Sequence, residues 1–297
     1  MKEAKMRIKK ALQLGIKKTW QEKKLIFLLW AINAFFSFIF TLPFYFLLKD
    51  NFSRSLLTSN LTRGFDLIWL SDLIYRYQNL IPYVVGLAIS TVLLWVPISL
   101  GLTGGIMGRL HSVNSFRWTE FMSAAGYYFF RFLKVFFLFI LSLIIILMPL
   151  SRLLNSLFHL WTESATSAWP AFWSGIIKLL LLLAIYSLVR LFFDYTRILL
   201  VLEDNRKVLK GVGRGGSFLA PRLVPAWAVF LLASLFPVIL TIAYLLFLRL
   251  TPTTSLPTFW LIFFLGQIYL LLRQAGKVFT LGSCYYFARL EKGEPTT

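Results

Sequence analysis

Three charged residues at helical spacing mark the first place where this chain can do chemistry. Arg190, Asp194 and Arg197 stand at i, i+4 and i+7. A continuous helix puts all three on one face and lets the carboxylate pair with either guanidinium. Two roles suit such a triad: neutralising charge where a helix leaves lipid, or engaging a lipid headgroup. Glu203, Asp204, Arg206 and Lys207 follow, and Glu203 can pair with Lys207 one helical turn later. Beyond them GVGRGGSF, Gly211 to Phe218, superficially resembles a phosphate-binding glycine loop. It lacks the Gly-Lys-Ser/Thr ending and follows no strand, so nucleotide binding is not expected. Backbone amides there, with Arg214, can still meet a lipid phosphate. Packing of an amphipathic helix is the simpler account.

Two polar side chains fall inside long apolar runs, Asn33 and Lys178. Together they are the basis for an intramembrane polar site. The alternative for Lys178 is to snorkel, since it sits about 10 Å by helical rise from the end of its run. Lys178 is the only Lys or Arg well inside the spans as the hydropathy draws them. No H-E-x-x-H or G-x-S-x-G occurs. The one cysteine, Cys284, excludes an internal disulfide and a multi-thiolate metal site, and reads as a small packing residue. His111 and His159 fall on opposite sides of the expected membrane and cannot share a metal. The spans nearly lack the paired polar groups that catalysis needs. A non-enzymatic protein with no cofactor and no metal is therefore expected.

The elements that must position these residues are hydrophobic. Of the 297 residues 58% are hydrophobic and 14% charged, against roughly a quarter charged in a soluble domain. The net charge of +19 would suggest nucleic acid in a soluble protein. Here the basic residues flank apolar runs, as the positive-inside rule requires, and they attract anionic lipid. The expected partners are membrane lipids, anionic above all, or a membrane protein, and not nucleic acid.

Six spans are expected, at about Leu25 to Leu48, Ile81 to Met107, Phe132 to Leu150, Ala171 to Phe193, Leu223 to Leu248 and Thr258 to Leu272. The first is long and lacks a small-x-small cleavage site, so it reads as a retained span rather than a signal peptide. Pro149 is expected to end the third span. The sixth is short unless its helix continues through Gly276 and Cys284 towards Arg289, which is the expectation. Glu291 to Thr297 read as a disordered tail. Interfacial helices are expected before the first span, where Lys2, Lys5, Lys9 and Lys10 alternate with Ile8, Ala11, Leu12 and Gly15, and over Phe65 to Leu80, Phe121 to Phe130 and the segment after Asp194. Gly101, Gly104, Gly105 and Gly108 form two small-x-x-x-small pairs that permit close helix contact. Of 31 Lys and Arg, 24 lie in segments that this reading puts inside and six outside. Both termini are thus expected in the cytoplasm.

The whole chain, 1–297, reads as one all-α, polytopic membrane domain of three helical hairpins. The hairpins suggest a parallel threefold repeat with units 1–110, 117–203 and 204–290. A glycine precedes each first span, at Gly15, Gly126 and Gly216, and an outer proline follows, at Pro43, Pro149 and Pro237. The common direction of the units differs from the inverted repeats of many transporters.

The segment FFDYTRILLVLEDNRKVLKGVGRGGSFL, from Phe192, resembles uncharacterised bacterial six-span membrane proteins, among them the membrane region attached to some glycerophosphodiester phosphodiesterases. Asp194, Arg197, Glu203, Arg206 and Gly215 or Gly216 are the matching positions. The resemblance implies a module of the bacterial cytoplasmic membrane, sometimes found near lipid metabolism. It carries no activity over, because the soluble phosphodiesterase domain is absent. The leading expectation is a module that binds or organises lipid or a partner protein. The alternative is a transporter or channel for a hydrophobic or amphipathic molecule.

Overall fold

A computed structural model of the chain describes residues 2–52, 75, 78–112, 116–163, 167, 169–251 and 255–294. They form eight long helices: α1 Lys2–Gln21, α2 Lys23–Phe52, α3 Ile81–His111, α4 Trp118–Thr162, α5 Trp169–Leu202, α6 Val208–Leu219, α7 Leu223–Leu250 and α8 Leu256–Lys292. No strand occurs among the described residues. Six stretches, in α2, α3, α4, α5, α6 with α7, and α8, are long and apolar enough to cross a membrane. Most of the expected interfacial helix over Phe65 to Leu80 lies outside the described residues.

The helices are longer than the spans read from hydropathy. Pro149 does not end the third span: α4 runs on to Thr162. A proline removes one backbone hydrogen bond and leaves the turns beyond it intact when neighbours hold them. Nor do Phe121 to Phe130 form a separate helix, since they are the first turns of α4. At 45 residues that helix is about 67 Å long, more than twice a hydrocarbon core. The helices break at Glu22, between α1 and α2, and at Ala220–Arg222, between α6 and α7, whereas α4 runs through without a break. As expected, α8 continues far beyond Leu272. It starts at a capping box between Ser255 and Thr258 and stops at Gly293, whose φ of 71° closes the helix in the left-handed region.

The closed core sits at one end of the bundle. Buried side chains gather at the start of α2 (Leu25, Leu29), the end of α3 (Ile106, Met107), the start of α4 (Phe121, Phe132), the end of α5 (Tyr195, Ile198), the start of α7 (Ala226, Val229) and the end of α8 (Tyr285, Phe287). Towards the other end the helices expose Ile144, Ile145, Leu180, Leu183, Leu245, Leu246, Phe263 and Phe264. An apolar surface of that extent belongs against lipid tails.

Small residues draw the core end together. Gly105 faces the Phe121 ring and Gly108 faces Ala124 so closely that a Cβ at either would collide. This is the close contact that the paired glycines permit. On α1, Ala11 and Gly15 are buried against α8, while Lys5, Lys9, Lys10 and Lys17 stay exposed. A Cβ on Gly15 would collide with Ser283 Oγ and lie 3.0 Å from its backbone nitrogen. Gly15→Ala is therefore expected to destabilise the protein by about 1–3 kcal/mol through overpacking. Gly126→Ala, with nothing within 4 Å of the new methyl, is expected to be neutral or mildly stabilising. Melting curves of the two variants in one detergent check the opposite signs.

Candidate functional site

The core end is stapled by acids that each bridge separate helices. Glu22, at the α1–α2 junction, receives Arg109 of α3 at 2.5 Å and Lys18 at 3.2 Å, and Arg109 also lies 3.6 Å from Glu120 of α4. Glu291 of α8 holds Arg7 of α1 at 3.0 Å and Arg222 at 2.8 Å. The residue read as the start of a disordered tail is thus a junction of three segments. Glu203 takes Arg214 of α6 and Lys292 of α8. It does not pair with Lys207, because α5 ends at Leu202 and the one-turn spacing no longer holds. Asp204, at φ 41°, accepts from Arg131 at 2.8 Å and from Tyr127 at 2.9 Å, both on α4.

Hydrogen bonds from Arg131, and then Tyr127, hold the Asp204 carboxyl below its usual range despite some desolvation. At Glu203 desolvation raises the pKa, but hydrogen bonds from Lys292 and Arg214 outweigh it and the net direction is down. A depressed folded-state pKa stabilises above the ordinary carboxylate range, and that stabilisation is lost as pH falls through the lowered value. The α5–α6 turn is expected to keep its amide protection near neutral pH and lose it at acid pH. Hydrogen exchange of residues 203–207 at several pH values reads this out. Both groups are solvent-accessible, so the change should stay local.

The polar groups deeper in the bundle converge on a partly open cleft of about 580 Å³ between α3, α4, α5, α7 and α8. Because α5 is unbroken from Trp169 to Leu202, Arg190, Asp194 and Arg197 share one face and all line this cleft. Arg197 Nη1 donates to Asp194 Oδ1 at 2.9 Å. Arg190 Nε lies 3.7 Å from the other carboxylate oxygen and its guanidinium sits over the Phe230 ring. Opposite, α8 contributes Arg273 and Lys277, also one turn apart. Neither forms an ion pair or hydrogen bond with another described residue. The cleft is thus lined by four cations and one carboxylate, which pairs with Arg190 and Arg197. Its other walls are largely apolar, with Phe139, Tyr186, Phe193, Pro237, Val238 and Ile242.

Its depth follows from α7. Gly276 packs on Pro237, so close that a Cβ would lie 3.2 Å from the proline ring. Pro237 is the fifteenth of the 28 residues of α7. Lys277 therefore stands level with the middle of a membrane-spanning helix. Thr280 Oγ1 donates to the Ala233 carbonyl at 3.4 Å, Tyr244 stacks on Tyr269 at 4.4 Å, and Trp227 Nε1 donates to Ser187 Oγ at 3.1 Å. These contacts fix α8 and α5 against α7, and with them the spacing of the cations.

Of the other residues singled out in the sequence, Asn33 and Lys178 are not brought together. Lys178 donates to Asn155 of α4. Asn33 lines a second cavity of about 540 Å³ between α2, α3 and α8, and that cavity shares Arg273 and Lys277 with the first. Arg206 is exposed in the α5–α6 turn, and Arg214 is held by Glu203 on α6. Neither lines the cleft. The glycine-rich segment is the helix α6, not a loop, with Gly211 and Gly215 buried against Leu200 and Thr196 of α5. Its interior amides serve the helix. Arg273 and Lys277 escaped the sequence reading because the sixth span was drawn to stop at Leu272. The signal was present in the expected continuation of that helix.

Six helices long and apolar enough to span, with a charged cleft between them, define a polytopic α-helical integral membrane protein. Comparison with protein-family models, curated proteins and solved structures finds no match to this chain.

Proposed function

We propose that this protein is a lipid-binding module of the bacterial cytoplasmic membrane, with both termini cytoplasmic, and that its cleft holds the acidic headgroup of an amphiphile. One observation carries the reading: four cations, Arg190, Arg197, Arg273 and Lys277, line one largely apolar cleft with a single carboxylate. Intramembrane charge of one sign is expensive to keep and marks a functional site. Guanidinium and ammonium groups hold phosphate or carboxylate through charge-assisted hydrogen bonds, and the apolar walls suit an acyl chain. The reading is one of binding, without bond-making chemistry.

Lipids retained in native nanodiscs test it. An anionic class is expected to be enriched several-fold over the surrounding membrane, and the enrichment is expected to vanish in an Arg273→Gln/Lys277→Gln variant. Bulk-like lipid around the wild type would end the proposal. For orientation, a reporter fused after Thr297 is expected to read as cytoplasmic, and an extracytoplasmic signal would reverse the topology.

A transporter of amphiphilic anions is the second reading. It is favoured by the position of Arg273 and Lys277 on the shared wall of two cavities, where a headgroup can pass from one to the other. Movement of fluorescent anionic lipid across proteoliposomes, faster than in protein-free vesicles, would select it.

A further inference from the structure

We infer that the cavity between α2, α3 and α8 receives the hydroxyl-bearing part of the bound headgroup, so that the ligand is a phosphate ester of a polyol. The inference rests on the reading of the neighbouring cleft as an anionic amphiphile site, and adds the chemistry of the headgroup.

The second cavity adds amide groups to hydroxyls, where the cleft has only the hydroxyls of Thr103, Ser234, Thr241, Thr280 and Tyr186. It is lined by Asn33, Ser37, Thr41, Thr91, Ser99 and Gln274 beside Arg273 and Lys277. Ser37 is the fifteenth residue of α2 and Trp95, also on the wall, the fifteenth of α3. Hydroxyl and amide groups thus cluster halfway along spanning helices, with Asn33, Thr91 and Ser99 half-buried and Ser37 and Thr41 exposed.

Four of the donors on the α2 and α3 sides are already committed, while Ser37 Oγ and Trp95 Nε1 keep theirs. Asn33 Nδ2 donates to the Leu29 carbonyl at 2.6 Å, Thr41 Oγ1 to Ser37 at 2.7 Å, Thr91 Oγ1 to Leu87 at 2.8 Å and Ser99 Oγ to Val96 at 2.9 Å, each within its own helix. Such back-bonding leaves Asn33 Oδ1 and three hydroxyl oxygens as acceptors. The α8 side adds the Arg273 and Lys277 cations, which only donate, and the Gln274 amide, which donates and accepts. A group that satisfies both walls must accept charge-assisted bonds on one side and donate hydroxyl hydrogens on the other. A fully ionised phosphate supplies only the first, and a neutral sugar, whose hydroxyls both accept and donate, leaves the cations without a counter-charge. A phosphodiester with free hydroxyls supplies both. Since Arg273 and Lys277 border both cavities, its phosphate is held by them, its hydroxyls reach Asn33, Thr41, Thr91 and Ser99, and its chains follow the apolar walls of the cleft.

Two lipids of equal charge separate the contributions. Phosphatidylglycerol carries two free hydroxyls, and phosphatidylpropanol carries none. Binding of each to the full-length protein is measured by titration in phosphatidylcholine nanodiscs. Wild type is expected to prefer phosphatidylglycerol by roughly three- to tenfold, the size of one or two net hydrogen bonds. In an Asn33→Leu/Thr41→Val/Thr91→Val/Ser99→Ala variant the preference is expected to fall to parity while phosphatidylpropanol binding is unchanged. Melting in phosphatidylcholine shows that the variant is folded. Equal binding of the two lipids by wild type overturns the inference and leaves the anionic reading standing. A preference that survives in the variant also overturns it. Binding of neither lipid above phosphatidylcholine defeats the underlying reading itself. Soluble glycerol phosphate as a competitor distinguishes sources: weak competition supports a lipid headgroup, whereas competition at the affinity of the lipid overturns the chain-bearing ligand.

Discussion

A protein carrying Glu22→Gln is expected to melt well below the wild type and to expose α1 to protease. Glu22 is only 4% exposed and receives Arg109, itself 2% exposed, at 2.5 Å. The neutral side chain keeps the shape but removes the carboxylate closest to a buried guanidinium. Breaking a buried pair from one side costs about 3–5 kcal/mol. The junction makes the loss consequential, because Glu22 is the one residue between α1 and α2. It also ties α1 to α3, through Lys18 as well as Arg109, whose neighbour Glu120 lies on α4. Removing both charges, in Glu22→Gln/Arg109→Met, is expected to restore much of the stability, since an apolar replacement of a buried pair is often neutral. Thermal melts and trypsin cleavage around Lys9 and Lys10 read the outcome. A single variant that melts like the wild type would show that packing at Gly15, and not the ion pair, seats α1. The double variant melting lower than the single would show that Arg109 is held chiefly by other contacts.

How far such pairs can be read from sequence depends on their separation along the chain. Arg190, Asp194 and Arg197 were legible because helical spacing alone brings them together, and the unbroken α5 does so. Glu22 and Arg109 are 87 positions apart, and no local pattern connects them. The apolar runs announced the six spans, because continuity over some twenty residues survives averaging. The same averaging hid the site. Arg273, Gln274 and Lys277 lower the mean hydropathy of the last span, so hydropathy alone ends it at Leu272, although the helix runs from Leu256 to Lys292. The charges that make the cleft worth attention are those that disguise its depth. Moving these two cations from the inner segments to the wall still leaves the charge bias strongly one-sided. Asn33 and Lys178 were both read as intramembrane polar residues, but only burial context separates them. Asn33 lines a cavity, whereas Lys178 finds Asn155 one helix away. The Pro149 and Glu203–Lys207 readings missed in opposite directions: the first ended a helix that runs on to Thr162, and the second carried a helix past Leu202, where α5 ends.

Lys277→Met and Asp194→Asn are expected to move stability and lipid affinity in opposite senses, and this crossing is the largest effect foreseen at the cleft. Lys277 stands level with the middle of α7 and makes no ion pair or hydrogen bond with another described residue. A charge kept at such depth costs about 2.5–3.5 kcal/mol on insertion scales, so methionine is expected to raise the melting temperature in neutral phosphatidylcholine. The same change removes a charge-assisted contact to the ligand, worth about 1.5–3 kcal/mol, or roughly a ten- to hundredfold loss of anionic lipid affinity. Asp194 has the reverse role. It holds Arg197 at 2.9 Å and Arg190 at 3.7 Å, and is the one carboxylate among the residues lining the cleft. Asparagine there leaves four cations repelling one another, so the protein is expected to be less stable in neutral lipid. Both arginines are then released towards a ligand, and anionic lipid binding is expected to tighten. Melting in nanodiscs of stepped anionic content measures both quantities on one protein. Lines of melting temperature against anionic fraction should be flatter than wild type for Lys277→Met and steeper for Asp194→Asn. If Lys277 merely braced the bundle, methionine would lower stability at every lipid composition and leave the slope unchanged. If Asp194 served only to neutralise the helix as it leaves lipid, its loss would displace the line without steepening it. The slopes therefore separate a ligand site from a structural charge cluster, whatever the sign of the change in neutral lipid.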